Sequence, residues 1–93
     1  MGIDYVSRGR VNPDSLIAVI AAINLVESYG CVHTMVEWFD PVKDAFMQRV
    51  TVTWKGDVVG SSTMAHYEVE QLCHLHITFL KDIAAVFETC HTY

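Results

Sequence analysis

The sequence predicts an α+β domain in the order helix, three strands, helix, with both helices packed on one face of an antiparallel sheet. Three observations predict it. A nearly uncharged apolar segment opens at "NPDS" and closes at Gly30. Two runs then alternate with a period of two, separated by the turn residues of "DPVKD". From about Met64 to Cys90 the apolar positions recur at helical spacing with no Pro or Gly between them. The length, 93 residues, suffices for one domain and not for two.

Each element has a local cause. In the first helix Asn12 is placed to cap, Pro13 suits the first turn and Asp14 complements the dipole. The helix should end near Tyr29, with Gly30 as its left-handed stop. In "CVHTMVEWF", Val32, Thr34, Val36 and Trp38 share one face, which hydrophobicity marks as the core face. In "AFMQRVTVTW", Phe46, Val50, Val52 and Trp54 share one face, and Arg49, Thr51 and Thr53 the other. "KGD" at 55–57 is a tight turn into a short third strand, Asp57 to about Ser62. In the last helix Val69, Leu72, His76, Phe79, Leu80, Ile83, Phe87 and Cys90 form one stripe, with Glu70, His74, Lys81 and Glu88 opposite. The pattern fits one long helix, or two with a break near Lys81. Before the first helix, residues 1–11 read as an arm or a short strand.

Bulk composition limits the function. The chain is 52% hydrophobic and 18% charged, which suits a packed core and not disorder. Six Lys and Arg against 11 Asp and Glu give a net charge of −5, which disfavours binding a phosphate backbone. Arg8 and Arg10, beside Gly9, are too few charges to make a nucleic-acid arm. The longest apolar run, Leu16 to Ile23, is too short to cross a bilayer, and no charged-then-apolar leader opens the chain, so no membrane role is expected. Three cysteines without CxxC spacing predict free thiols and an intracellular, cytoplasmic or nuclear, setting.

The ordered set of motifs resembles the double-stranded-RNA-binding domain. That family opens its first helix with a pattern like NP-x-S-L-L-N-E, and here Asn12 to Val19 read "NPDSLIAV". Its Gly-Pro-x-His loop between the first two strands has a counterpart in "DPVK", Asp40 to Lys43. Its Phe-led strand ending in a Gly turn has one in "FMQRVTVTWKGDVVG", Phe46 to Gly60. The Lys-Lys-x-Ala-Lys start of its second helix aligns, with one gap, to "HYEVE", His66 to Glu70. The resemblance covers residues 12–80 and implies the αβββα fold, leaving 81–93 as a C-terminal extension of the last helix.

The departures fall on the RNA-contacting positions. The family reads A-form RNA by shape, through its first helix, the first strand loop and the start of its second helix. Val19 replaces the acidic residue of the first helix and offers no hydrogen bond. The loop His is missing, although Lys43 remains to meet a phosphate. His66, Tyr67 and Glu70 stand where lysines would span the major-groove phosphates, and a carboxylate there repels them. The resemblance then implies a role like that of the third domains of Dicer-partner proteins. These have lost the RNA surface and dimerise or hold the nuclease. The expected function is protein interaction in RNA silencing or dsRNA handling, by homodimerisation or by docking to a partner such as a Dicer-type nuclease. A weak residual dsRNA-binding domain is the alternative.

Surface patterning supports an interaction role independently. On a helical wheel Ala18, Val19, Ala22 and Leu25 lie away from Leu16, Ile20 and Ile23, so the first helix has almost no polar face. A two-layer domain does not cover a helix on all sides. The third strand, with Val58 and Val59, is expected at a sheet edge without a charge or Pro in its middle, open to pairing with another chain. The competing expectation is that residues 1–11 or the C-terminal extension cover these surfaces.

Chemistry concentrates only in "CHLH", 73–76. At ~100° per residue, His76 falls inside the apolar stripe, His74 lies about 160° from it, and Cys73 sits about 60° to one side. The expected roles are a buried, neutral, hydrogen-bonded His76, a small core Cys73 and a solvated His74. Zinc would need Cys73 and His76 joined by Cys31 and His33. That requires the Cys31/His33 face to look at the last helix, against the apolar face of Val32, Val36 and Trp38. No metal and no cofactor is therefore expected. A Cys73–His76 nucleophile lacks an orienting third group and an oxyanion element, so no enzyme is expected; a small metal- or thiol-dependent protein is the third alternative. Trp38 and Trp54 are expected to pack together under the helices. Glu68, Glu70, Asp82 and Glu88 read as solvating charges.

Overall fold

In a computed structural model, which describes residues 11–91, the order is α1 (Pro13–Ser28), β1 (Cys31–Asp40), β2 (Ala45–Trp54), β3 (Asp57–His66) and α2 (Val69–His91). The expected arm or strand at 1–11 falls outside the described residues except for Val11, as do residues 92–93 and the side chains of residues 90 and 91. The sheet is antiparallel in the order β1-β2-β3, and both helices lie on one face of it. The α+β arrangement is the expected one.

Asn12 caps α1, its side-chain oxygen accepting from the Asp14 amide at 2.9 Å. At the other end Gly30 takes φ +89°, a conformation that a side chain disfavours. In the β1–β2 hairpin the Asp40 carboxylate accepts from the Val42 and Lys43 amides at 2.9 and 3.3 Å. The β2–β3 hairpin closes on Lys55 and Gly56, both at positive φ (51° and 85°), as a two-residue turn matched to strand twist requires.

Two boundaries and one face differ from the sequence reading, and one open alternative is decided. β3 continues to His66, because Gln48, Met47 and Phe46 of β2 go on pairing with Met64, Ala65 and His66. Consequently α2 begins at Val69, not near Met64, with the Glu68 carbonyl accepting its first helical amides. No break occurs at Lys81: α2 is continuous, and Ile83, Ala84 and Phe87 from its later turns join the same core as Leu72 and Leu80. The changed face is that of β1. Cys31 is buried and His33 and Met35 are half-buried toward the helices, whereas Val32 and Val36 are exposed on the open side. Trp38 lies on that open side with the Arg49 guanidinium over its ring (5.5 Å), while Trp54 faces the helices, so the two tryptophans do not pack together.

The core is built from Val19, Ile23 and Val26 of α1, Val50 and Val52 of β2, and Leu72, Cys73 and Leu80 of α2, all fully buried. Each such aliphatic side chain contributes about 1.5–3 kcal/mol of transfer free energy. A polar node ties the two helices where they start. Glu70 accepts from the Asn12 amide (2.7 Å) with one oxygen and from the Ser15 hydroxyl (2.6 Å) with the other, which also meets His74 Nε2 at 2.7 Å. Glu70 therefore caps a helix 58 residues earlier in the chain, supplying an acceptor to an amide that α1 itself leaves open.

Glu70→Ala should lower stability by about 1 kcal/mol, read as a shift of the urea midpoint. The bond from Ser15, then that from Asn12, holds the Glu70 carboxyl below the ordinary glutamate value. A depressed folded value means that the stabilisation is present above about pH 4.5 and is lost as the pH falls through the folded value. The difference between native and variant chains should therefore close in acid; a constant difference at all pH would show that packing alone is lost.

Candidate functional site

Antiparallel register places His33 beside Val52 on the helix-facing side of the sheet, and α2 carries His76 across it. The two Nε2 atoms are 2.9 Å apart, with rings nearly parallel (centroids 5.0 Å, 16°). At that distance one imidazole donates its Nε2–H to the bare Nε2 of the other, so the rings occupy different neutral tautomers. Burial pushes His76 down to about 3, with His33 adding to the effect. Burial also lowers His33, partly opposed by the Glu27 carboxylate of α1. The pair is a neutral polar clasp between β1 and α2.

The other two zinc candidates do not join it. Cys73 donates its thiol to the Ser15 carbonyl at 3.6 Å, and Cys31 is a free buried thiol at the start of β1, two residues before His33 on the same face. Burial raises both, Cys73 to about 11 with the Glu70 charge contributing, so these thiols stay protonated at neutral pH. Among the described residues no three His, Cys, Asp or Glu side chains are grouped so as to hold a metal ion. Contrary to the expectation from Val32, Val36 and Trp38, the Cys31/His33 face does look at α2. His74 is exposed as expected, but bonded to Glu70 and not merely solvated.

The expected RNA-contact positions are scattered. Val19 is fully buried and so presents nothing to a groove. Lys43 is exposed in the β1–β2 turn. His66 ends β3, its Nδ1 accepting from the Glu68 amide, and Tyr67 is exposed between strand and helix. Glu70 serves the helix junction.

The expected partner surface also moves. Val19 and Ala22 face this domain's own core and Ala18 is half-buried; of the α1 residues named, Leu25 alone is exposed. The apolar outer side of α1 is instead Ile17 and Ile20, 67% and 46% exposed, with Leu25. Wheel position alone misplaced the phase, because a helix apolar on nearly all sides leaves its inward direction to tertiary contacts. Val58 and Val59 are exposed (63% and 41%) and lie at a sheet edge as expected. A bulge sits there: Val52 pairs with Gly60 and Thr53 with Val58, which leaves Val59 as the extra residue.

Beside that bulge runs a groove of about 460 Å³ that the sequence reading did not find. Trp54, Val59 and Gly60 line one side and Phe79, Asp82, Ile83, Val86 and Phe87 the other. The α2 members recur at i, i+3, i+4, i+7 and i+8, a signal visible in the sequence, where Phe79, Ile83 and Phe87 read as core stripe, Asp82 as a solvating charge and Val86 as neither. Gly60 lets α2 approach: a Cβ there would lie 2.8 Å from Ile83 Cδ1 and 3.2 Å from Phe79 Cζ. Phe87 meets Trp54 edge-on (5.7 Å, 69°) and stacks on Tyr29 (5.5 Å, 19°), which fixes the end wall.

No protein-family model matches this chain, and no curated protein matches it.

Acid should loosen the histidine clasp. Both folded values are lowered, so the unfolded chain binds more protons as the pH falls below about 6.5. Stability is complete above that value and falls by up to ~1.4 kcal/mol per pH unit for each histidine. A His33→Asn/His76→Leu double variant should show a flatter stability profile between pH 6.5 and 4.5, measured by urea unfolding. An unchanged slope would show that other groups set the acid limit.

Proposed function

We propose that this chain is a protein-interaction module that works through the β3 edge and the groove beside it, by self-association or by docking a protein partner. One observation carries the reading: an apolar groove opens alongside a strand that has β2 on one side and, among the described residues, no strand on the other. The outer backbone groups of such a strand are free to pair with an incoming strand, and a neighbouring pocket accepts its side chain. Exposed Val58 and Val59 leave the edge without the charge or Pro that ordinarily protects it.

The resemblance to the double-stranded-RNA-binding domain supplies the setting, which is RNA silencing or dsRNA handling, with a Dicer-type nuclease as one candidate partner. Direct dsRNA binding is disfavoured by the net charge of −5 and by Val19, His66, Tyr67 and Glu70 at the contact positions. Among the described residues no helix is long and apolar enough to cross a membrane.

Light scattering over a concentration series, with affinity capture from the native host, tests the proposal. The native chain should gain mass or retain specific proteins, and Val58→Lys/Val59→Lys should lose both while unfolding at the same urea concentration. Equal behaviour of the two chains would remove the β3 edge from the function. Tight dsRNA binding at physiological salt would overturn the reading altogether.

A further inference from the structure

The groove's chemistry selects among the partners that an open β3 edge admits. Its walls are aromatic and aliphatic, and its one ionised lining residue is Asp82, on the same face of α2 as Phe79, Ile83 and Val86. Among the described residues no salt bridge joins Asp82 to a Lys or Arg. The Lys55 ammonium rests over the ring of Trp54, a groove wall, at 4.5 Å. A strand laid against β3 would therefore pass an apolar pocket next to a carboxylate that has no salt-bridge partner among the described residues.

A second copy of this chain fits that requirement poorly. Its β3 reads "DVVGSSTMAH", with no Lys or Arg. Its groove side carries Val59, Gly60, Ser62 and Met64, which offer an apolar side chain but no cation. Two copies joined through β3 alone would bring no β3 cation to either Asp82, in molecules that each carry a net charge of −5.

We propose that the groove is a docking site for an extended segment of a different protein, one that inserts a bulky apolar side chain between β3 and α2 and brings a Lys or Arg to Asp82. This rests on the interaction reading above and names the partner's chemistry. The segment adds a strand to β3, so its backbone bonds give affinity. The pocket, lined by Trp54, Val59 and Phe79, reads one side chain, and Asp82 reads charge. The ordered end wall and the close seating of α2 at Gly60 keep the pocket open beforehand, which lowers the cost of binding.

The test uses the full chain and two capped peptides. In one, phenylalanine is flanked by valines and closed by lysines; in the other, glutamates replace the lysines. Backbone and indole N–H signals of the labelled protein are followed by NMR. The lysine peptide should shift Val59, Gly60, Val86 and the Trp54 indole, and added salt should weaken it. Asp82→Asn, a change at an exposed position, should weaken it by about fivefold with the melting temperature unchanged. The glutamate peptide should not bind. Equal binding of both peptides, or no effect of Asp82→Asn, would overturn the charge assignment. No shifts with either peptide would overturn the docking site. If Val58→Lys/Val59→Lys still abolishes self-association in that case, the interaction reading survives with a second copy as occupant. If neither chain associates with anything, both fall.

Discussion

The central strand sets the geometry of everything around it. Val50 and Val52 of β2 are wholly buried under the helices. Antiparallel pairing then fixes which side of β1 and β3 faces the same way. Met35 and His33 lie opposite Val50 and Val52, and so do Ser62 and Gly60. A shift of one residue in either pairing would turn every neighbouring side chain to the other face. Burying the His33 ring, seating α2 on Gly60 and exposing Val32 and Val36 are all consequences of that register.

Polar groups inside this small domain hold the helices at two separate points. The His33–His76 clasp joins β1, at one edge of the sheet, to α2. The Glu70 carboxylate joins the start of α2 to the start of α1. Neither is expected to add much net stability compared with apolar packing, since a hydrogen bond gains only about 1 kcal/mol after water is displaced. Their effect is directional. α1 is apolar on nearly all sides, so hydrophobic burial alone would accept several rotations of it. The bonds from Asn12 and Ser15 to Glu70 favour the rotation that buries Val19 and Val26 and leaves Ile17 and Ile20 outside. Burial pushes the Cys31 and Cys73 thiols up, and Cys73 serves the same junction of α1 and α2 through its bond to the Ser15 carbonyl.

The groove and the β3 edge follow from one local irregularity. The bulge at Val58 and Val59 adds a residue to β3, turns Val59 toward the groove beside α2, and is followed at once by Gly60, where a side chain would collide with α2. The same few residues thus bring the helix close and leave a pocket beside it. A sheet edge that is apolar and next to a pocket is costly to leave in water, and that cost is the physical ground of the proposed interaction role.

The sequence by itself determined the elements and their order, because caps, turn residues and hydrophobic periodicity are local. Asn12, Gly30, "DPVK" and Lys55-Gly56 act within a few residues of themselves, and the faces of β2 and α2 are marked by strict periods. It also separated His76 from His74 by helical phase alone. Tertiary structure decided what depends on distant residues. In β1 both faces carry apolar side chains, so hydrophobicity favoured Val32, Val36 and Trp38. The hairpin register, pairing Asp40 with Ala45 and Phe39 with Phe46, turned Cys31 and His33 inward instead. The extension of β3 to His66 depended on partners in β2, the phase of α1 on Glu70 some 55 residues away, and the groove on a bulge that Gly60 hints at but only the pairing with β2 locates. A side chain's own chemistry is written in the chain, but the side it faces is settled by what pairs across from it.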